Sequence, residues 1–103
     1  MGNRVRACRI DDLPDGKMKY LQIDGNDVLL ANIGGTYYAV SDICNHAGAN
    51  LHEGKMNGKN IICPWHKAIW DVTTGELVHF PVRLKPLRVY KVSIDGDAVY
   101  IEV

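Results

Sequence analysis

Two short segments of this 103-residue chain combine side chains able to hold a soft or borderline metal: Cys44-Asn45-His46 and Cys63-Pro64-Trp65-His66. Thiolate sulfur and imidazole nitrogen are both strong ligands for iron and zinc. Ligands two or three residues apart on a loop can point into one volume. Two such loops, separated by the sixteen residues 47–62, can face each other across it. Gly48 and Pro64 suit tight loops whose backbone N–H groups turn inward, which anionic sulfur requires. This donor set, two Cys and two His, fits an iron–sulfur group and a tetrahedral zinc ion equally well. A zinc finger would usually set its histidine pair on a helix, and no helical period surrounds these residues.

The rest of the composition narrows the function. Twelve Lys and Arg balance twelve Asp and Glu, so bulk charge would not drive binding to nucleic acid. With 47% hydrophobic and 23% charged residues the chain reads as one ordinary globular domain. The apolar runs Val28–Ala31 and Tyr37–Val40 are too short to cross a bilayer. Three cysteines and no basic-then-apolar opening make a soluble, cytoplasmic protein without a disulfide framework the expectation. Cys8, with no partner cysteine implied, reads as a buried inert thiol. The charges are evenly spread, and Arg4, Arg6 and Arg9 read as a solvated strand face.

The elements that must position the two loops read as all-β. Gly34-Gly35, Asn57-Gly58, Thr74-Gly75 and Asp95-Gly96 punctuate the chain as turns. Between them lie expected strands over 5–10, 18–23, 28–33, 36–40, 59–63, 70–72, 76–78, 88–94 and 98–103. The apolar alternation of the 88–94 segment slips between Val89 and Val92. Residues 45–55 are the one stretch where a helical turn could sit, with Gly48 and Gly54 against it. Segments 42–51 and 63–68 are the loops that carry the cysteine–histidine pairs.

The two boxes, C-x-H and C-x-x-H, resemble the Rieske motif. The run from Cys63 to Gly75 is similar to the second box of small Rieske ferredoxins. The resemblance covers most of the chain. It implies stacked antiparallel β-sheets, with a base from 1–41 and 81–103 carrying a cluster-binding subdomain at about 42–80. It also implies one 2Fe–2S cluster, with Cys44 and Cys63 on the inner iron and His46 and His66 on the outer one. The respiratory members carry one further cysteine per box. Ala49 and Trp65 stand there in this chain, so that bridge cannot form. Serine and tyrosine hydroxyls that donate to cluster sulfurs in those members are replaced by Ala68 and Trp70. Fewer donors place the expected potential near the low end of the Rieske range, about −150 mV. Lys67 stands where the ferredoxins commonly have glycine.

The function implied is that of an electron carrier rather than an enzyme. It would run between a reductase and a terminal oxygenase, typically in aromatic-ring hydroxylation, as a monomer docking at the His46/His66 tip. A small subunit of a larger redox enzyme such as nitrite reductase, and a zinc-stabilised interaction module, are the alternatives. His52 and His79 read as surface or packing histidines, Trp65 as packing over the second loop, and Lys67 as a solvated positive edge.

Overall fold

The computed structural model describes residues 4–44, 48–64, 67–81 and 83–102. Ten strands follow in order: β1 Arg4–Arg9, β2 Met18–Ile23, β3 Asn26–Ile33, β4 Thr36–Ser41, β5 Lys55–Asn57, β6 Asn60–Ile62, β7 Ile69–Asp71, β8 Leu77–His79, β9 Val89–Asp95 and β10 Ala98–Glu102. They form two antiparallel sheets. One has six strands in the order β1-β10-β9-β4-β3-β2, and the other has four, β5-β6-β7-β8.

Tight turns set the register. Ile33 pairs with Thr36 across Gly34-Gly35, whose φ values of 65° and 90° suit only the left-handed half of the map. The β2–β3 hairpin closes in the same way across Asp24-Gly25, with Ile23 paired to Asn26. That Asp-Gly pair is a turn signal the sequence analysis passes over. The β9–β10 ladder is regular from Lys91–Glu102 to Asp95–Ala98. Its apparent slip arises because Tyr90, not Val89, is the buried residue; Val89 and Ile94 are about half exposed. The true irregularity is in β1, where the register with β10 shifts between Arg6 and Cys8. β1 forms one edge of the larger sheet, with Arg4, Arg6 and Arg9 exposed along it.

β3 is the central wall. Its run from Val28 to Asn32 is buried on both faces, as expected of an apolar strand covered on two sides. Val28 and Leu30 face a base core with Cys8, Ile23, Tyr90, Val99 and Ile101. Leu29 and Ala31 face a second core with Ile61, Trp70, Val72 and Leu87. The four-stranded sheet and both cysteine loops are built over that second core.

Two expectations need correction and one is met. β5 is a strand the sequence analysis does not anticipate, since Lys55–Asn57 lacks an apolar pair. A 3-10 turn at Leu51–Glu53 does fall within 45–55, and Gly54 closes it with its N–H on the Leu51 carbonyl at 2.9 Å. A second 3-10 turn at Ile10–Asp12 lies outside that window, held by an Asp12 carboxylate that accepts the Arg9 N–H at 3.0 Å. Among the described residues no helix is long and apolar enough to cross a membrane.

Candidate functional site

The two cysteine loops are closed by one scheme. The Cys44 N–H donates to the Ala49 carbonyl at 2.8 Å, and the Cys63 N–H donates to the Ala68 carbonyl at 2.8 Å. Ile43 bridges to Asn50, and Ile62 pairs with Ile69. In both loops the residue four after the cysteine turns left-handed: Gly48 at φ 71° and Lys67 at φ 57°. The alanine that follows is buried in both. Beyond it lie Leu51 in one loop and Trp70 in the other, each fully buried. Both cysteines are 1% exposed and belong to the same packed core.

The scheme explains why these positions take small residues. The path back from the kink runs against the core, so a bulky side chain at 49 or 68 would collide with it. At Gly48 an added Cβ would meet nothing within 4 Å, so the glycine answers only to φ. Lys67 holds the same backbone conformation with a Cβ present, at a cost of roughly 1–2 kcal/mol.

Asp42 anchors the first loop. Its side chain is fully buried and accepts three hydrogen bonds: the His52 N–H at 2.8 Å, Asn50 Nδ2 at 3.0 Å and His52 Nδ1 at 2.6 Å. Its carbonyl accepts the Leu51 N–H at 2.7 Å, and its own N–H donates to the Asp27 carbonyl on β3 at 2.9 Å. The His52 ring stacks on Tyr20 of β2 with centroids 4.5 Å apart. The Tyr20 hydroxyl donates to Asp27, and that bond to a carboxylate, with further contributions from burial and nearby acidic charge, keeps the phenol's pKa raised. A continuous chain of contacts thus ties the loop entrance to the larger sheet. His52 is therefore a packing histidine, as one of the two expected readings had it, and its bonds to Asp42 also position the first loop. Sequence reasoning missed Asp42 as well. A carboxylate two residues after the inward Val40, on the same side of the strand's alternation, was the available signal.

The second loop is braced at its far end. Asp71 accepts the Thr73 N–H at 2.8 Å and the Thr73 hydroxyl at 2.6 Å, and Lys59 Nζ lies 3.4 Å from its other oxygen. Burial alone would raise this carboxyl's pKa. The Thr73 bonds and the Lys59 ammonium outweigh that, and the group titrates below its ordinary value.

Of the four expected ligands, Cys44 and Cys63 lie in equivalent places on the paired loops. His46 and His66 lie outside the described residues, as does Trp65. Pro64 is exposed at the rim of the second loop. His79 is exposed on β8, paired across the ladder with Ile69 at the end of the second loop. Cys8 is buried in the base core, and that burial raises its thiol pKa, in keeping with an inert thiol.

Residues 3–91 match the family model of the Rieske [2Fe-2S] domain. The chain belongs to this family. Its relatives include the 3-phenylpropionate/cinnamic acid dioxygenase ferredoxin subunits of Escherichia coli K12 and Shigella boydii. Each is 35% identical over 103 residues, covering 98% of this chain and 94% of the relative. Among solved structures, the ferredoxin of carbazole 1,9a-dioxygenase from Nocardioides aromaticivorans superposes with a TM-score of 0.89 at 34% identity, over 95% of each chain. A ferredoxin of Sphingomonas yanoikuyae B1 gives 0.88 at 28% identity, over 98% of this chain and 99% of that one. A complex of reduced oxygenase and oxidized ferredoxin in carbazole 1,9a-dioxygenase gives 0.90 at 29% identity, over 96% of this chain and 92% of that one.

The group of this Rieske domain is a single 2Fe–2S cluster, and the residues described here fit it. Two buried thiols sit on matched loops over one core. The indole Nε1 of Trp70, fully buried in that same core, has no hydrogen-bond partner among the described residues. An unpaired N–H of this kind costs roughly 1–3 kcal/mol unless an acceptor meets it, and sulfide or thiolate sulfur is such an acceptor.

Proposed function

We propose that the chain carries single electrons from a reductase to a terminal oxygenase, in a system that hydroxylates aromatic substrates. Cys44, His46, Cys63 and His66 hold the cluster, the thiolates on the inner iron and the imidazoles on the outer one. The bound group supplies one-electron chemistry. The protein's own part is to hold it still, to keep water from its sulfur side, and to leave one edge within reach of partners.

The observation that carries this reading is the shared closure of the two loops, with both thiols buried in one core. Asp42 and the Cys44–Ala49 and Cys63–Ala68 hydrogen bonds fix the two cysteines relative to the sheets. Fixed ligands mean little rearrangement when charge arrives, which is what rapid electron transfer requires. Leu51, Ala68 and Trp70 close the apolar side of the loops. The imidazole edge at His46 and His66 is the docking tip, and a small transient interface there suffices. The relatives' roles as ferredoxin subunits support a carrier that is not itself a catalyst. A cytoplasmic monomer accords with this role.

The test is anaerobic reduction followed by EPR and metal analysis. The expected result is two irons per chain and a rhombic signal with low average g after one electron. Cys44→Ser and Cys63→Ser should each abolish the visible absorption. Stoichiometric zinc in a colourless protein would overturn the reading. Native material eluting with a much larger enzyme would favour a fixed subunit over a mobile carrier.

A further inference from the structure

The two loops serve as controls for each other. At the shared left-handed position one has glycine, which adopts that backbone freely, and the other has Lys67. A non-glycine residue keeps such a conformation only where its surroundings impose it, as the β2–β3 turn does for Asp24, and such positions cluster at functional sites. The lysine is exposed, and it lines a shallow groove of about 420 Å³ running alongside Cys63. Lys55 on β5 lines it too, Ile62 and Pro64 contribute apolar surface, and Glu53 is the one carboxylate. Lys59, the nearby third lysine in sequence, is paired with Asp71. The rim is therefore locally positive on a chain whose formal net charge is zero. With no net charge to steer an approach, local charge decides orientation.

We propose that this groove seats a carboxylate-bearing segment of the redox partner, with Lys67 and Lys55 receiving the carboxylates and Pro64 and Ile62 the adjoining apolar contact. The proposal rests on the carrier reading above and specifies its partner: an acidic surface patch that meets the second loop from the Cys63 side.

The test uses the holoprotein on gold coated with a carboxylate-terminated monolayer. Adsorbed mass is followed by quartz-crystal microbalance and electron transfer by voltammetry, against an ammonium-terminated monolayer. Wild type should adsorb to the carboxylate surface and lose that adsorption as salt is added. Lys67→Gly and Lys55→Gln should each weaken adsorption roughly threefold or more. Lys67→Gly should also melt no lower than wild type, because it relieves the backbone. That pairing of weaker docking with undiminished stability is one a purely structural lysine would not give. Lys91→Gln, on β9 outside the groove, should match wild type. Equal adsorption of Lys67→Gly and wild type, or an equal loss in Lys91→Gln, would overturn the proposal. A missing voltammetric wave in every variant, with Lys67-dependent adsorption intact, would refute the carrier reading and leave the acidic-partner surface supported.

Discussion

Single side chains decide how firmly the loops are held. Asp42 is buried with three donors aimed at its carboxylate. Asp42→Asn turns one acceptor into a donor facing donors, and should lower unfolding free energy by roughly 1–3 kcal/mol in urea titrations. Asp71 makes a prediction with a sign. Its carboxyl titrates lower folded than unfolded, so its contribution is whole above the ordinary value of 3.8 and disappears as pH falls through the folded value. Asp71→Asn should therefore be less stable than wild type at neutral and mildly acid pH alike, the gap closing only below about pH 4. Urea midpoints across that range check it. At this scale the sequence was readable where residue type alone carries chemistry. The spacing of Cys44 and Cys63 with their histidines pointed to a metal before any geometry was known. Asp42 and His52 were not readable in that way. Their roles depend on Tyr20 and Asp27, residues brought near by strand pairing that no local pattern encodes.

Among the elements, Gly54 is the most constrained backbone position near the site. A Cβ there would lie 1.9 Å from the Ile62 carbonyl oxygen and 3.2 Å from that of Leu51. Gly54→Ala must push β6 away from the 3-10 turn, which overpacking of this kind makes costly by roughly 1–3 kcal/mol. Gly58, unlike the extended Gly54, is left-handed, at φ 60°, and an added Cβ there would meet open space. Gly58→Ala should lose only the conformational part, about 1 kcal/mol. Thermal melts of the two variants side by side separate crowding from backbone strain. The turns were legible because Gly-Gly and Asn-Gly pairs state their φ requirement locally. β5 was not, because its pairing with β6, rather than any apolar pattern of its own, makes Lys55–Asn57 a strand. Tyr90 misled for a related reason. Valine at 89 fits a strand as well as tyrosine at 90 does, and only packing against Val99 and Ile101 in the base core decides which turns inward.

For the whole molecule, β3 joins two cores through one strand. Leu30 lies in the base core and Leu29 in the core beneath the cysteine loops, both fully buried. Leu30→Ala should cost roughly 2–5 kcal/mol. The loss should register equally by far-UV circular dichroism and by tryptophan fluorescence, although both tryptophans, Trp65 and Trp70, belong to the second loop and the strand after it. Separate midpoints from the two probes would show that the halves melt independently. The all-β class was legible from turn spacing, but the division into two cores was not, since alternate residues of one unbroken apolar run serve both. The margin of the larger sheet has its own consequence. β1 is an outermost strand kinked by its bulge and studded with three arginines. A second molecule seeking to extend the sheet there would have to dehydrate those guanidinium groups and match a broken ladder. That edge is thereby guarded against strand addition by a second copy of the chain.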